Sequence, residues 1–205
     1  MKKVIIICTL LLTVAGFGQN DEAYVDDLTK EFTQKLVERN ITEFFTVKRY
    51  CSGKIEMFQI GKERKMCTSK GTYYKVFVVW KEEDTVHVKK IDNCGLFYSI
   101  ALTDTDIFDF FSQNRTDLAS EKVKQYKSAS YTGTPELRKQ PQPCFRSFSF
   151  TEAENTAAVS YNLFDLSNEK DNLNFEHNNQ RKVVMLDAKL DTILTTSEGS
   201  MRRQI

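Results

Sequence analysis

Residues 72–81 read TYYKVFVVWK, and this stretch decides the class of fold to which the chain belongs. Aromatic and β-branched side chains dominate it, which is the composition of a β-strand. Successive side chains of a strand point to opposite faces, so Val76, Val78 and Trp80 share one face. Because an all-apolar face belongs in the interior, we expect Trp80 to be at least half buried.

Segments with a two-residue period lie on both sides of this strand. Short turns with glycine, asparagine and acidic residues separate them, which is typical of antiparallel strands joined as a meander. The predicted strands are 45–51, 54–60 and 64–67 before the central strand, 85–91 and 96–102 after it, and a later hairpin of 144–151 with 157–164. The core of the fold is therefore predicted to be an antiparallel sheet.

Three further segments carry helical signals. In 22–38 the apolar residues recur every three or four positions, and Asp21 is placed to cap the first turn. A second helix is predicted for 104–127. Residues 183–195 fit both a helix and a strand, and we favour the helix. The predicted fold class is α+β: an antiparallel β-meander with an N-terminal helix and one or two further helices packed on one face.

The three prolines mark the longest predicted loop. All of them lie after the second helix, and we predict a proline-rich loop at 128–143. The chain that follows is short for a separate domain, so residues 19–205 are treated as a single domain. The asparagine-rich segment 165–182 is predicted to be exposed, and the tail from 198 to 205 is predicted to be frayed.

The N-terminus has the three parts of a secretory signal peptide. The start, MKK, is positively charged, residues 4–12 (VIIICTLLL) are apolar, and small residues including Gly18 follow. The apolar run is shorter than the about 20 residues of a membrane-spanning helix. We therefore expect residues 1–18 to be removed and the mature chain to begin at Gln19. The protein is then secreted or periplasmic, without stable insertion in a membrane.

Cleavage would leave four cysteines, Cys51, Cys67, Cys94 and Cys144. An even number in an exported chain favours disulfides, because that compartment is oxidising. Of the three pairings, we favour Cys51 with Cys67, which are close in sequence. Cys94 with Cys144 would then tie the sheet to the chain after the proline-rich loop. The alternative is a four-cysteine zinc site, but the Cys-x2-4-Cys spacing of such sites is absent.

The charge balance bears on the class of partner. Without Lys2 and Lys3 the 29 basic residues become 27, against 28 acidic residues, so the mature chain carries a net charge of about −1. Nucleic-acid binding draws its affinity from the neutralisation of many phosphates, so we expect no nucleic-acid partner. The partners that we expect are an unidentified protein, a glycan or a small apolar ligand.

Motifs for catalysis or cofactors do not stand out in the sequence, and we expect no cofactor and no metal. The two histidines, His87 and His177, lack sequence neighbours at metal-ligand spacing. A cysteine nucleophile would require a free thiol, which the even count argues against. We interpret Asp104, Asp106 and Asp109 as favourable charges in a first helical turn rather than a calcium site, because apolar residues interrupt the EF-hand spacing.

Basic residues cluster in the predicted strands, together with three candidate ligand-facing residues, Tyr73, Trp80 and His87. Such a surface would suit a polyanion or a glycan. Lysines on edge strands also serve to block aggregation, and acidic residues such as Glu82 and Glu83 dilute the patch. We therefore favour protection against aggregation over a ligand-binding surface.

Three functions follow from these observations. The first is a non-enzymatic secreted or periplasmic binding protein, which the absence of catalytic motifs favours. The second is an exported hydrolase whose site is built from carboxylates distant in sequence. The third is a carrier that holds an apolar ligand between sheet and helices. A cleft with two facing carboxylates would favour the enzyme, and a deep apolar cavity would favour the carrier.

Overall fold

The computed structural model describes residues 20–130 and 140–204. The predicted signal peptide and most of the proline-rich loop lie outside these ranges. Residues 128–130 and 140–143, the two described ends of the loop, belong to none of the helices and strands named below.

Helices and strands alternate in blocks along the described chain. The strands are β1 (Glu43–Cys51), β2 (Met57–Ile60), β3 (Lys65–Thr68), β4 (Tyr74–Glu82), β5 (Thr85–Asp92), β6 (Gly95–Leu96), β7 (Ile100–Ala101), β8 (Cys144–Glu152) and β9 (Asn155–Asn162). The α-helices are α1 (Glu22–Glu38), α2 (Asp106–Gln113), α3 (Arg115–Ser120), α4 (Phe175–Asn179) and α5 (Lys182–Ser197), with 3-10 turns at Leu163–Leu166 and Glu198–Ser200. The predicted α+β class is confirmed.

One antiparallel sheet organises the molecule. Its strand order is β6-β5-β4-β1-β8-β9, with β7 also paired to β5. The strands β4, β5 and β6 form the predicted meander, while β1 lies between β4 and the late hairpin of β8 and β9. The hairpin of β2 and β3 forms a separate two-stranded sheet. The most distant segments of the chain therefore meet at β1.

Both faces of the central strand β4 are buried. On one face Val76, Val78 and Trp80 pack against α1, and on the other Phe77 and Val79 pack in a cluster with residues of α2 and α5. The expectation that the helices pack on one face is therefore wrong. The reason lies in β4, whose run from Val76 to Trp80 is apolar at every position and needs cover on both sides.

The predicted helix 104–127 ends earlier than expected. It breaks between α2 and α3, where the Asn114 side chain donates to the Phe110 carbonyl at 2.8 Å, and it is extended from Glu121 onward. There the backbone N–H of Lys124 donates to Asn178 Oδ1 at 2.9 Å, and that of Tyr126 donates to Asp165 Oδ1 at 2.8 Å. Side chains of the 165–178 segment thus replace the backbone hydrogen bonds that a longer helix would make. For this reason helical periodicity alone places the end of the helix too late.

The asparagine-rich segment 165–182 is partly buried, contrary to expectation. Asn178 is fully buried, and its side-chain amide donates to the carbonyls of Lys124 and Asp165, each at 2.8 Å. Asn172 is also buried and donates to the Asp165 carbonyl at 2.9 Å. These asparagines satisfy the backbone of irregular chain, which a buried loop requires.

The C-terminal tail is ordered by specific contacts and is not frayed as expected. Arg203 makes two hydrogen bonds to the buried carboxylate of Asp92, at 2.6 and 2.8 Å. The Tyr98 N–H donates to the Arg202 carbonyl at 2.8 Å. The preceding segment is helical in α5, which confirms the choice of helix over strand for 183–195.

Two disulfides join Cys51 to Cys144 and Cys67 to Cys94. The pairing of Cys51 with Cys67 and of Cys94 with Cys144 is therefore wrong. The register of β1 with β8 places Cys51 directly opposite Cys144. Cys67 lies in the separate β2–β3 hairpin, which the sequence analysis placed in the meander beside Cys51.

Trp80 is buried as predicted, with 2% of its surface exposed, and its ring contacts Phe32 of α1 edge-on at 5.3 Å between centroids. We expect Trp80→Ala to lower the free energy of unfolding by about 3–5 kcal/mol, because it leaves a large cavity under α1. The control Val37→Ala, on the exposed side of α1, should change stability by about 0.5 kcal/mol or less. Urea denaturation measures both, and a loss under about 1 kcal/mol for Trp80→Ala would contradict the packing described here.

The disulfides give a second prediction. Without residues 1–18, the unfolded and unreduced chain should show no free thiol, and digestion without reduction should yield peptides joined at 51–144 and 67–94. In the chain-entropy model the Cys51–Cys144 bridge, with a sequence separation of 93, contributes about 4–5 kcal/mol. Reduction should therefore lower the melting temperature by several degrees. Peptides joined at 51–67 would contradict the strand register.

Candidate functional site

Three cations lie side by side across the sheet. Arg49 of β1 is directly opposite Lys75 of β4 on one side and Arg146 of β8 on the other. Tyr161 of β9 follows opposite Arg146. Since directly opposite residues share a face, all four side chains point to the face covered by α2 and α5. Adjacent cations repel one another, so this row requires nearby acids.

Helix α5 supplies the main counter-charge. The carboxylate of Asp187 accepts hydrogen bonds from Arg49 Nη2 at 2.5 Å, from Arg146 Nε at 3.0 Å and from the Tyr161 hydroxyl at 2.8 Å. One turn later, Asp191 pairs with Arg49 Nη1. Burial, and then the Asp187 charge, raise the pKa of Tyr161 well above its usual range, so it remains a neutral donor.

A third acid extends this charge pairing beyond the end of α5. Glu198, in the 3-10 turn that follows, contacts Lys75 Nζ at 3.1 Å and Lys90 Nζ at 2.7 Å. Burial opposes ionisation of Glu198, but hydrogen bonding and attraction from Lys90, with help from Lys75, outweigh it and hold the pKa below its ordinary value. Asp187, Asp191 and Glu198 thus bind the row of basic residues to α5 and to the turn that follows it.

The row opens into a cleft of ≈ 390 Å³ between the end of the sheet and the C-terminal half of α5. We call it the cationic cleft. Its lining consists of the basic residues Arg49, Lys54, Lys75 and Arg146, the acids Glu56, Asp191 and Glu198, and Tyr50, Cys51, Tyr73, Leu194 and Thr195. Four cations and three acids line the cleft, and the Asp187 carboxylate lies behind two of the cations.

In this cleft Arg146 has N–H donors that the described residues do not fully use. Its Nε is engaged by Asp187, its Nη1 makes one long bond of 3.4 Å to the Phe145 carbonyl, and no described residue accepts from its Nη2. The Nε of Arg49 is buried and has no hydrogen-bond partner in the described part of the chain. The guanidinium of Arg146 therefore presents its outer edge for an acceptor that the protein itself does not provide.

The three candidate ligand-facing residues do not converge. Tyr73 lines the cationic cleft, where its hydroxyl donates to Asp92 at 3.0 Å; burial, and then the Asp92 charge, raise its pKa far above the usual range. Trp80 and His87 lie on the opposite face, stacked on each other at 5.3 Å. Because Trp80 is closed off beneath α1, the proposed basic aromatic surface does not form around it.

The basic residues of that surface are also dispersed. Lys75 and Lys90 are bound to Glu198 on one face, whereas Lys89 is buried on the other. Its ammonium donates to the Phe97 carbonyl at 2.5 Å, and burial, with a smaller effect from the charge of Lys35, lowers its pKa to about 8. Lys89 and Lys90 are consecutive in β5, so their side chains point to opposite faces of the sheet.

The acidic side chains of the cleft are not arranged like the catalytic groups of a carboxylate-based hydrolase. Asp191 and Glu198 are each paired with a cation, so neither resembles the protonated acid of a carboxylate-based hydrolase. Across residues 20–130 and 140–204 no cluster of three or more His, Cys, Asp or Glu side chains is arranged to hold a metal ion. Asp106 and Asp109 lie in the first turn of α2 as interpreted from the sequence, whereas Asp104 precedes the helix and accepts from the Asp106 N–H at 2.9 Å.

Sequence reasoning singled out Tyr73 but missed Arg49, Arg146, Asp187 and Asp191. The spacing of the two acids is a partial signal of the site, since Asp187 and Asp191 are four residues apart and share a helix face. Their basic partners lie 138 and 41 positions away from Asp187, at distances that no local pattern reveals.

Comparison with known proteins adds no relative: no family model matches the sequence, and no curated protein or solved structure is significantly similar to it. In the part of the chain that the structure describes, no helix combines the length and apolar character needed to cross a membrane.

The Asp187 network yields a stability prediction. Asp187→Asn should lower the free energy of unfolding by about 3–5 kcal/mol, because it leaves Arg49 and Arg146 buried without their shared anion. Asp191→Asn is the matched control on the same helix face, and its half-exposed carboxylate should contribute about 1 kcal/mol or less. Urea denaturation of both variants tests the difference. Equal losses would show that Asp187 does not hold the row together.

Proposed function

We propose that the protein is an exported, non-enzymatic binding protein whose cationic cleft binds a small ligand through an oxyanion group, such as a carboxylate. The observation that carries the proposal is the unsatisfied outer edge of the Arg146 guanidinium. A guanidinium is planar and offers parallel N–H donors that match the two oxygens of a carboxylate.

The surroundings of Arg146 support this use. Asp187 binds its Nε and so fixes the plane of the guanidinium before any ligand arrives, which lowers the entropy lost on binding. Its side chain is only 15% exposed, so a bound anion would be partly shielded from water. Lys54 at the rim is 60% exposed and adds attraction for an anion.

The lining favours a charged ligand over the apolar one considered from the sequence. Charged side chains make up more than half of the residues around the cleft, and the large apolar side chains pack into two buried clusters instead. An apolar ligand would have to desolvate these charges without compensation. The carrier hypothesis therefore has less support than the binding of an anion.

Export is proposed from two independent features. The N-terminal sequence has the form of a signal peptide, and the four remaining cysteines form two disulfides. Disulfides persist in oxidising compartments, so a secreted or periplasmic location fits both features.

Titration with sodium succinate, monitored by NMR, tests the proposal. We expect the Arg146 Nε–Hε resonance and amides of β1 and β8 to shift, while neutral N-acetylglucosamine leaves them unchanged. Arg146→Lys keeps a positive charge but loses the planar fork, so binding should weaken by about tenfold or more. Arg39→Lys, an exposed arginine paired with Glu82, is the control and should bind as the wild type does.

Two results would contradict the proposal. One is the absence of any shift at Arg146 with succinate and with inorganic phosphate. The other is equal affinity of the wild type and Arg146→Lys, which would assign binding to the general positive charge of the surface.

A further inference from the structure

The two edges of the main sheet differ in how they are protected. At one edge β6 and β7 are only two residues long each, and the C-terminal tail pairs with the chain there through Phe97 and Arg203. At the other edge β9 runs for eight residues, Asn155–Asn162, and no strand of the described chain lies beyond it. One edge is thus shortened and covered, and the other is long and open.

The sequence of β9 carries none of the usual safeguards of an edge strand. It reads NTAAVSYN, with no charged residue, no proline and no glycine. Edge strands usually include lysines, prolines or bulges, which prevent pairing with another chain. The register with β8 is also continuous over all eight residues, without a bulge.

The outer backbone groups of β9 have no partner within residues 20–130 and 140–204. A two-residue turn at Ala153 and Glu154 closes the hairpin, so Asn155 and Glu152 form a hydrogen-bonded pair. Alternation then directs the N–H and C=O groups of Thr156, Ala158 and Ser160 away from β8. No described residue binds these groups, and the three side chains are exposed.

A neighbouring segment lies beside this edge without pairing to it. Residues 119–123 and 158–160 line a groove of ≈ 220 Å³ between them. Residues 119–123 make no backbone hydrogen bond to β9. Instead their chain continues toward α4, where Lys124 binds Asn178.

We propose that β9 pairs with β9 of a second copy of this chain, antiparallel and across a two-fold axis at Ala158. Outward-directed backbone groups must meet outward-directed groups, so Ala158 lies opposite Ala158 of the second copy. Thr156 then lies opposite Ser160, and on the other face Ala157 lies opposite Val159. The sheets of the two copies become one continuous sheet.

The occupant is a second copy because the strand is complementary to itself in this register. The pairs nearest the axis join small neutral side chains. The two-fold axis repeats the Thr156–Ser160 and Ala157–Val159 pairs twice and passes through the single Ala158–Ala158 pair. Pairing with β9 brings no charge into contact with a like charge, since the strand has none. This surface is separate from the cationic cleft, so the proposal does not depend on ligand binding.

Sedimentation equilibrium of the wild type should show a monomer–dimer equilibrium. In the proposed register Ala158→Lys places two lysines face to face, so it should weaken dimerisation by about tenfold or more, and Ala158→Asp should do the same. A mixture of the two variants should restore a dimer, because lysine then faces aspartate. Ala101→Lys, an exposed alanine on the opposite edge, is the matched control and should leave the dimer unchanged.

Circular dichroism and tryptophan fluorescence verify that each variant is folded, since Ala158 is exposed in the monomer. A wild type that stays monomeric at every concentration would overturn the proposal. So would a dimer that Ala158→Lys leaves intact, or variants that fail to form a heterodimer when mixed.

Discussion

The carboxylate of Asp187 is the interaction on which the arrangement of the molecule depends. The strand order places Arg49 and Arg146 next to each other in the interior, where their mutual repulsion would be strong. Asp187 bonds to both and to Tyr161, and in doing so it fixes α5 on the sheet. The apolar cluster beneath α5 and the cleft at its C-terminal end both take their geometry from this contact.

The sequence predicts most of what is local in this fold. The period-two pattern of 72–81 identifies β4, and the spacing of apolar residues identifies α1 with its cap at Asp21. It does not predict which strands become neighbours, because β1 and β8 are separated by the whole central part of the chain. For that reason the disulfide partner of Cys51 was misassigned, since it depends on the register of β1 with β8.

Buried polar groups account for the remaining differences. Asparagine at 172 and 178 suggests an exposed loop by composition, yet both side chains replace missing backbone bonds in the interior. The same applies to the candidate site: Tyr73 was identified by its strand, whereas the role of Arg146 depends on an acid 41 positions later. Composition reveals that a residue is polar but not which group it satisfies.

The central position of β1 has a consequence for the order in which the chain becomes able to fold as it is synthesised. Arg49 emerges from the ribosome 138 residues before Asp187, an interval of roughly 7–28 seconds at usual rates of elongation. Early in that interval neither β8 nor α5 has been synthesised, and the helix that neutralises Arg49 appears only at its end. The nascent chain thus completes most of its synthesis before the element that closes its interior exists.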